Sequence, residues 1–129
     1  MKKAATSWHT RQEKNLIQRW GGKPNGGGGP DGSISGRPVE VRSIKKPGAN
    51  RFRLMKTTHD ELVKKNGWYI FKVRGQASTK VSARDVESIL KEKKRKWYRD
   101  RKPAYRHTFL YTHDRPAGWW RRIKNSKRR

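Results

Sequence analysis

The chain has 129 residues, of which 35 are Lys or Arg and only 10 are Asp or Glu, so its formal net charge is +25. This length, with 30% hydrophobic residues, suits one domain with a small core. The charge indicates a polyanionic partner, nucleic acid in the first place, and no apolar run reaches the roughly 20 residues that cross a membrane. The sequence has no cysteine, which excludes disulfides and thiolate metal sites.

Residues 3–20 are predicted to form a helix that ends at Gly21-Gly22. Its apolar face comprises Trp8, Leu16, Ile17 and Trp20. Glu13 lies on the Ile17 side of that face, where a carboxylate is costly to bury unless it is paired, hydrogen-bonded or bound to metal. Glu13 is therefore a candidate site residue, with a solvent-facing position at the edge of the face as the alternative.

The segment 23–36 is rich in glycine and contains Asp31. It predicts either a flexible linker or a loop whose backbone passes close to a phosphate. A hairpin then leads into a predicted strand over residues 39–44. Because side chains alternate across a strand, Glu40 and Arg42 are expected on one face and the neighbouring valines on the other.

Three more strands are predicted from local pattern. Residues 51–55 alternate basic with apolar side chains, which predicts a half-buried strand with a basic outer face. Residues 68–73 are the most apolar run of the chain and are predicted to be the central buried strand. Residues 107–111 are the third candidate, and a helix is expected from Ser82 to about Trp97.

A shorter helix is predicted over residues 58–66. Thr58 and Glu61 have the spacing of a capping box, with Thr58 at the N-cap. His59 would then lie in the first turn, and we interpret it as a surface residue rather than a nucleic-acid contact. The element order predicts an α/β fold: a small mixed β-sheet flanked by helices, over residues 1–97.

Residues 98–129 differ in composition and are predicted to be a basic, aromatic C-terminal extension, disordered over residues 126–129. This extension interleaves aromatic rings with cations, as proteins that bind single strands do. The candidate contacts are Trp119, Trp120, Arg121 and Arg122. Packing of the tryptophan pair onto the core is the alternative.

The acidic residues are the more informative charges, because only three precede His59: Glu13, Asp31 and Glu40. Mg²⁺ prefers a few carboxylate ligands and retains waters and phosphate oxygens in its coordination sphere. Asp31 and Glu40 are the predicted ligands, with the carbonyl of Val41 as a third. Such a site would activate a water molecule and neutralise the negative charge of a phosphodiester group.

This arrangement resembles the PD-(D/E)xK nuclease superfamily, and within it the archaeal Holliday junction resolvases, over residues 5–75. The family pattern is a helix with a glutamate, a glycine-rich loop leading into Pro-Asp, a strand with Glu-x-Lys, then a helix and a second apolar strand. Here the pattern falls on Glu13, Asp31 and Glu40, with the helix 58–66 and the strand 68–73 following. Arg42 stands where the family has its catalytic lysine, and arginine is always protonated and cannot act as a base.

The resemblance implies a restriction-endonuclease-like fold and a Mg²⁺-dependent endonuclease acting on DNA, with Mn²⁺ as a substitute. Its catalytic residues would be Glu13, Asp31, Glu40 and Arg42. It further implies a branched or Holliday-junction substrate, a homodimer, a role in DNA recombination and repair, and an archaeal or viral origin. No small-molecule cofactor and no membrane partner are expected, and the start of the chain lacks a signal peptide, so we expect a cytoplasmic, nucleoid-associated protein.

Basic and amide side chains near the predicted site are candidate nucleic-acid contacts. They are Lys23, Asn25, Arg37, Lys45, Lys46, Arg51 and Arg53. Two alternatives stay open: a non-catalytic nucleic-acid-binding protein, either an inactive nuclease fold or a ribosome- or chromatin-associated protein, and an RNA-processing nuclease. The histidines are too dispersed for a zinc site. Convergence of the three acids distinguishes a nuclease from a simple binding protein, in which clustered carboxylates would repel phosphate.

Overall fold

The structure is a computed structural model that describes residues 8–25, 30–100 and 105–114. The helices are α1 (Trp8–Arg19), α2 (Lys56–Lys64) and α3 (Ala83–Glu92), followed late in the chain by a 3-10 turn at Thr112–Asp114. The strands are β1 (Lys23–Pro24), β2 (Gly32–Ile34), β3 (Arg37–Ile44), β4 (Arg51–Met55), β5 (Trp68–Val73), β6 (Thr79–Ser82), β7 (Tyr98–Arg99) and β8 (Arg106–Tyr111). Residues 3–7 of the predicted helix, the glycines 26–29, and the candidates at 119–122 and 126–129 lie outside the described residues.

The larger sheet is mixed and has five strands, in the order β1-β2-β3-β5-β6. The predicted hairpin is confirmed: β2 and β3 are joined by a two-residue turn in which Ser35 and Gly36 have φ of 53° and 75°. Positive φ at both positions matches the twist of a hairpin. β3 then pairs in parallel with β5 on its other side, so β3 is the middle strand and the predicted central strand β5 lies beside it.

The two faces of this sheet pack against different layers. On one face α1 contributes Leu16 and Ile17 to a cluster with Val39, Val41 and Ile70. The larger cluster on the opposite face contains side chains of α2, α3, β4 and β8. Side chains alternate along β3, so Val39 and Val41 face α1 and Glu40 and Arg42 face the other side, as the sequence predicted.

β4 belongs to a second sheet of three strands, in the order β4-β8-β7. The α/β fold class is confirmed, but the expectation of one sheet was wrong, because β4 pairs with β8 more than 50 residues later rather than with its neighbours. β4 has the predicted alternation, with Phe52 and Leu54 buried and both arginines exposed. The second sheet thus joins Tyr98–Arg99 and Arg106–Tyr111 to the rest of the fold, while the boundary at residue 97 stays a prediction.

Two helix ends differ from the prediction. The capping box at Thr58 was wrong: β4 runs directly into α2, Met55 is the N-cap without a side-chain hydrogen bond, and Thr58 lies inside the first turn. α3 ends at Glu92 rather than near Trp97, because Lys94 adopts a φ of 53° and the Arg95 N–H donates to the Leu90 carbonyl. This left-handed cap is usually glycine, and a lysine there gives no sequence signal. Within the described residues, no helix is long and apolar enough to cross a membrane.

Candidate active site

The site lies along the edge of β3 that β2 leaves open. β2 pairs with Arg37, Pro38 and Val39, and the described ladder stops there. The next backbone N–H on that edge, at Val41, donates to Oδ2 of Asp31 at 2.8 Å. The Asp31 carboxylate is therefore fixed beside β3, next to the backbone of Val41.

Glu40 is the most constrained acid of the group. Glu40 is only 5% exposed, and its Oε2 lies 2.7 Å from the guanidinium of Arg42. Its other oxygen, Oε1, is buried and has no hydrogen-bond partner among the described residues. A buried carboxylate oxygen without a partner carries a large desolvation cost, which a bound cation would offset.

Glu13 reaches the same region from α1. A cleft of about 400 Å³ opens beside the β3 edge. Its walls are formed by His9, Glu13, Val41, Arg42, Ser43, Arg51, Phe52, Arg53 and Met55. The predicted residues Glu13, Val41 and Arg42 therefore share one cavity, between α1 and the second sheet.

The three carboxyl groups influence one another electrostatically. Burial raises the pKa of Glu40 to about 7, with the Asp31 and Glu13 charges adding to the effect and Arg42 opposing it. Burial also raises the pKa of Asp31, against the hydrogen bond from Val41 and the charge of Arg42. For Glu13, burial and the charge of Asp31 raise the pKa. These mutual effects place the three acids in one electrostatic neighbourhood. Among the described residues, however, no three or more acidic or histidine side chains lie close enough together to hold a metal ion between them.

The donor set fits a hard divalent cation. Asp31 and Glu40 offer carboxylate oxygens, and the Val41 carbonyl lies on the same open edge, contacted by Nη1 of Arg42 at 3.4 Å. Oxygen ligands of this kind suit Mg²⁺, which needs only one or two carboxylates when substrate and water complete its shell. The unpartnered Oε1 of Glu40 is the feature of this structure that a cation would satisfy.

Arg42, which the resemblance predicts at the position of the family lysine, is half-buried. Its guanidinium bridges towards Glu40 and the Val41 carbonyl, so its positive charge already lies among the site oxygens. An arginine there stabilises negative charge on a phosphate but cannot take a proton.

The predicted nucleic-acid contacts occupy three different places. Lys23 and Arg37 are exposed on the hairpin side, and the Arg37 guanidinium lies 5.8 Å from the Trp68 ring centroid. Asn25 closes the loop before Asp31 through bonds to the Pro30 and Asp31 carbonyls. The remaining contacts line clefts. Arg51 and Arg53 line the cleft that contains Glu13 but neither Asp31 nor Glu40, and Lys45, Lys46 and Arg51 line a second one of about 540 Å³.

Sequence reasoning missed several residues that line these clefts, among them His9, Ser43 and Arg74. His9 places Nδ1 2.7 Å from Oγ of Ser43, which ties α1 to the end of β3. Arg74 adds a cation to the second cleft. The spacing of His9 and Glu13, one helical turn apart, is the signal that would have found the first of them.

His59 corrects another expectation. It is fully buried rather than on the surface, with Nδ1 2.8 Å from the Tyr69 hydroxyl and Nε2 2.7 Å from Oε1 of Glu87. Its ring also lies near that of Trp97. Because Tyr69 pairs with Glu40 in the sheet, this network holds β5 in place beside β3.

With this geometry, the class of protein follows from comparison with known families. The chain belongs to the PD-(D/E)XK nuclease superfamily: the family profile for the PD-(D/E)XK nuclease superfamily domain matches residues 1–108. The match extends beyond the predicted range of 5–75 and includes the second sheet as far as Thr108.

A solved structure similar to this chain is that of Archaeoglobus fulgidus Hjc, described as a Holliday junction resolvase from an archaeal hyperthermophile. The TM-score is 0.50 at 11% sequence identity, with 84% of this chain and 87% of that chain covered. The predicted resemblance and the restriction-endonuclease-like fold are confirmed. No curated protein matches the chain.

Proposed function

We propose that this protein is a metal-dependent endonuclease that hydrolyses phosphodiester bonds in DNA, with branched or Holliday-junction DNA as its substrate. One observation carries the proposal: Asp31 and Glu40 lie together at the open edge of β3, and Oε1 of Glu40 is buried without a partner. A protein that only binds nucleic acid gains nothing from acids at this position, since they repel phosphate. The resolvase fold of the similar structure supports the choice of substrate.

Asp31, Glu40 and the Val41 carbonyl would hold Mg²⁺, or Mn²⁺ in its place. When bound, the ion would supply charge neutralisation on the phosphate and an activated water. Arg42 would stabilise the negative charge that develops on the phosphate, as a fixed cation in a partly dry site. Glu13 lines the cleft that also contains Val41 and Arg42, where its carboxylate, whose pKa burial raises, would orient the attacking water.

The wider surface suits a large polyanion. Lys45, Lys46, Arg51 and Arg74 line the second cleft, which shares Arg51 with the cleft of Glu13. Contacts of this kind position a phosphate backbone without reading its sequence. A homodimer would place two such sites on a four-way junction, with a nucleoid-associated location and a role in recombination or repair.

The decisive experiment is cleavage of labelled four-way junction, linear duplex, single-stranded DNA and RNA, with Mg²⁺ or Mn²⁺ and with a chelator. Asp31→Asn and Glu40→Gln are expected to abolish cleavage and to keep binding. Glu92→Gln, which removes an exposed acid at the end of α3, is the matched control and should cut at the wild-type rate. Binding without cutting under either metal would refute the proposed activity.

Metal binding has its own readout in calorimetric titration with Ca²⁺, which does not depend on turnover. Wild type and Glu92→Gln should bind, and Asp31→Asn and Glu40→Gln should not. Equal affinity in all four proteins would place the ion elsewhere.

Arg42 favours a second candidate, a nuclease fold retained for binding alone, because the residue that usually acts beside the metal is absent. Two substitutions separate the candidates. In an active enzyme, Arg42→Ala should lower the cleavage rate by roughly 100-fold, the effect of losing one charge-stabilising donor, whereas Arg42→Lys should retain or raise it. If wild type is inactive and Arg42→Lys cuts, the second candidate is correct.

A further inference from the structure

The outer face of the second sheet carries an unusual set of side chains. In β4 and β8 every second residue is buried, and the intervening side chains point away from the core. The register aligns Arg51 with Tyr111, Arg53 with Phe109, and Tyr98 with His107. We call this surface the ring face; it comprises Arg51, Arg53, Tyr98, His107, Phe109 and Tyr111.

The rings on this face form a row. The ring centroid of His107 lies 6.1 Å from that of Tyr98 and 5.3 Å from that of Phe109. The Arg51 guanidinium stacks over Phe109 at 4.0 Å. Tyr98 is 54% exposed, and it is one of two large apolar residues, with Tyr105, that are exposed in the described part of the chain. Among the described residues, the two exposed tyrosines therefore lie in β7 and directly before β8.

The charges on the ring face select a negatively charged occupant. Asp100 binds the Arg53 guanidinium at 2.7 Å and lies 2.8 Å from Nδ1 of His107, so one acid positions both side chains. Arg51 contacts a ring instead, and no ion pair to it occurs in the described residues. The exposed arginine of β8, Arg106, adds positive charge at the edge.

The ring face is continuous with the candidate active site. Arg51 and Arg53 belong to both, because they line the cleft that also contains Glu13 and Arg42. The cleft therefore leads from Glu13 and Arg42 to the two arginines, beside which lies the row of rings.

We propose that the ring face binds a single-stranded segment of nucleic acid next to the scissile phosphate. Tyr98 and the Arg51–Phe109 stack would receive unpaired bases, and Arg51 and Arg53 would contact phosphates. Duplex cannot use the rings, because its base faces are already stacked inside the helix, whereas single strands stack on aromatic rings and on guanidinium planes. The position beside the cut strand rests on the proposed function, but the binding itself does not.

The test measures binding by fluorescence anisotropy in a chelator, so that no cleavage occurs. The ligands are an oligothymidine of about 12 nucleotides and a blunt duplex of about 20 base pairs at one salt concentration. Tyr98→Ala should weaken binding of the single strand roughly tenfold, the loss of one stacked base, and change duplex binding by less than about twofold. Tyr98→Phe keeps the ring and should bind like wild type.

Phe109→Leu is a second, independent variant, since it keeps an apolar residue at a half-buried position and removes the ring under Arg51. It should show the same selective loss. Unchanged single-strand binding in both Tyr98→Ala and Phe109→Leu would overturn the proposal. So would a dimer that dissociates in Tyr98→Ala in light-scattering measurements, because the face would then be a contact between two copies.

These outcomes are separable from the proposed function. Selective loss of single-strand binding in a protein that never cuts would support the ring face and refute the nuclease activity. Metal-dependent cutting with ring variants that bind normally would do the reverse.

Discussion

Replacing Glu40 with glutamine tests the electrostatics of the candidate site without requiring turnover. In the metal-free protein, burial holds the pKa of Glu40 at about 7, against an ordinary value of 4.5. The folded state therefore holds a proton that the unfolded chain releases between these two values. The stability that this proton confers is present below about pH 4.5 and is lost as the pH rises through 7.

The difference in pKa corresponds to roughly 3 kcal/mol of unfolding free energy lost across this range. A domain of this size has about 5–15 kcal/mol in total, so the effect is large. Glutamine cannot ionise and can still accept a hydrogen bond from Arg42. We therefore expect Glu40→Gln to gain roughly 3 kcal/mol relative to wild type between about pH 4 and about pH 8.

The assay is urea unfolding in a chelator at several pH values, with wild type, Glu40→Gln and the exposed-acid control Glu92→Gln. The control should follow wild type at every pH. At about pH 8, excess Mg²⁺ should stabilise the wild-type protein by about 2.7 kcal/mol at a concentration 100 times the dissociation constant. It should not stabilise Glu40→Gln. Parallel pH profiles for wild type and Glu40→Gln would refute the assignment of this buried charge.

Three further predictions follow from packing and charge. His59→Leu leaves the Tyr69 hydroxyl buried without its partner and should cost about 2 kcal/mol in urea unfolding; a loss below about 0.5 kcal/mol would contradict the buried network. Gly32→Ala places a Cβ against the Lys23 carbonyl and the Ile17 side chain, so it should destabilise the fold by about 1–3 kcal/mol, whereas an unchanged midpoint would mean that β2 does not pack closely against β1 and α1. DNA affinity should fall linearly on a log–log plot against salt, and a flat plot would argue against phosphate contacts.

The parts of the fold that depend on neighbouring residues were predictable from the sequence. Alternation along residues 39–44 places Glu40 and Arg42 on one face, and the structure has them 2.7 Å apart in an ion pair. The strands at 51–55 and 107–111 were also visible as patterns. The pairing of these two strands was not visible, because no local sequence feature indicates that strands more than 50 residues apart form one ladder. The second sheet, and with it the ring face, therefore required the structure.

His59 illustrates a different limit. The capping-box pattern placed it in an exposed first turn, but α2 begins at Lys56 without a side-chain cap. With that phase, His59 and Leu62 are three residues apart on the buried face, a spacing that was present in the sequence. The local capping signal was outweighed by the direct connection from β4, which sets where the helix starts.

The candidate site was predicted as residues rather than as geometry. The sequence named Glu13, Asp31 and Glu40, and their mutual effects on pKa place them in one neighbourhood. The sequence did not predict the open edge of β3. There the pairing with β2 stops at Val39 and leaves the Val41 backbone without a strand partner on that side. That edge results from the length of β2, which is three residues.

The ion pair of Arg42 with Glu40 bears on whether arginine and a metal ion exclude each other at this site. The guanidinium engages Oε2 of Glu40, and Oε1 of the same carboxylate stays without a partner in the described residues. One carboxylate therefore has an oxygen for each cation. A lysine, with a single point charge on a flexible stem, would not need this division, but the planar guanidinium reaches Oε2 and the Val41 carbonyl from one side. Arginine at this position is thus compatible with a metal held by Asp31 and Glu40, and it adds a positive charge where a phosphate would bind.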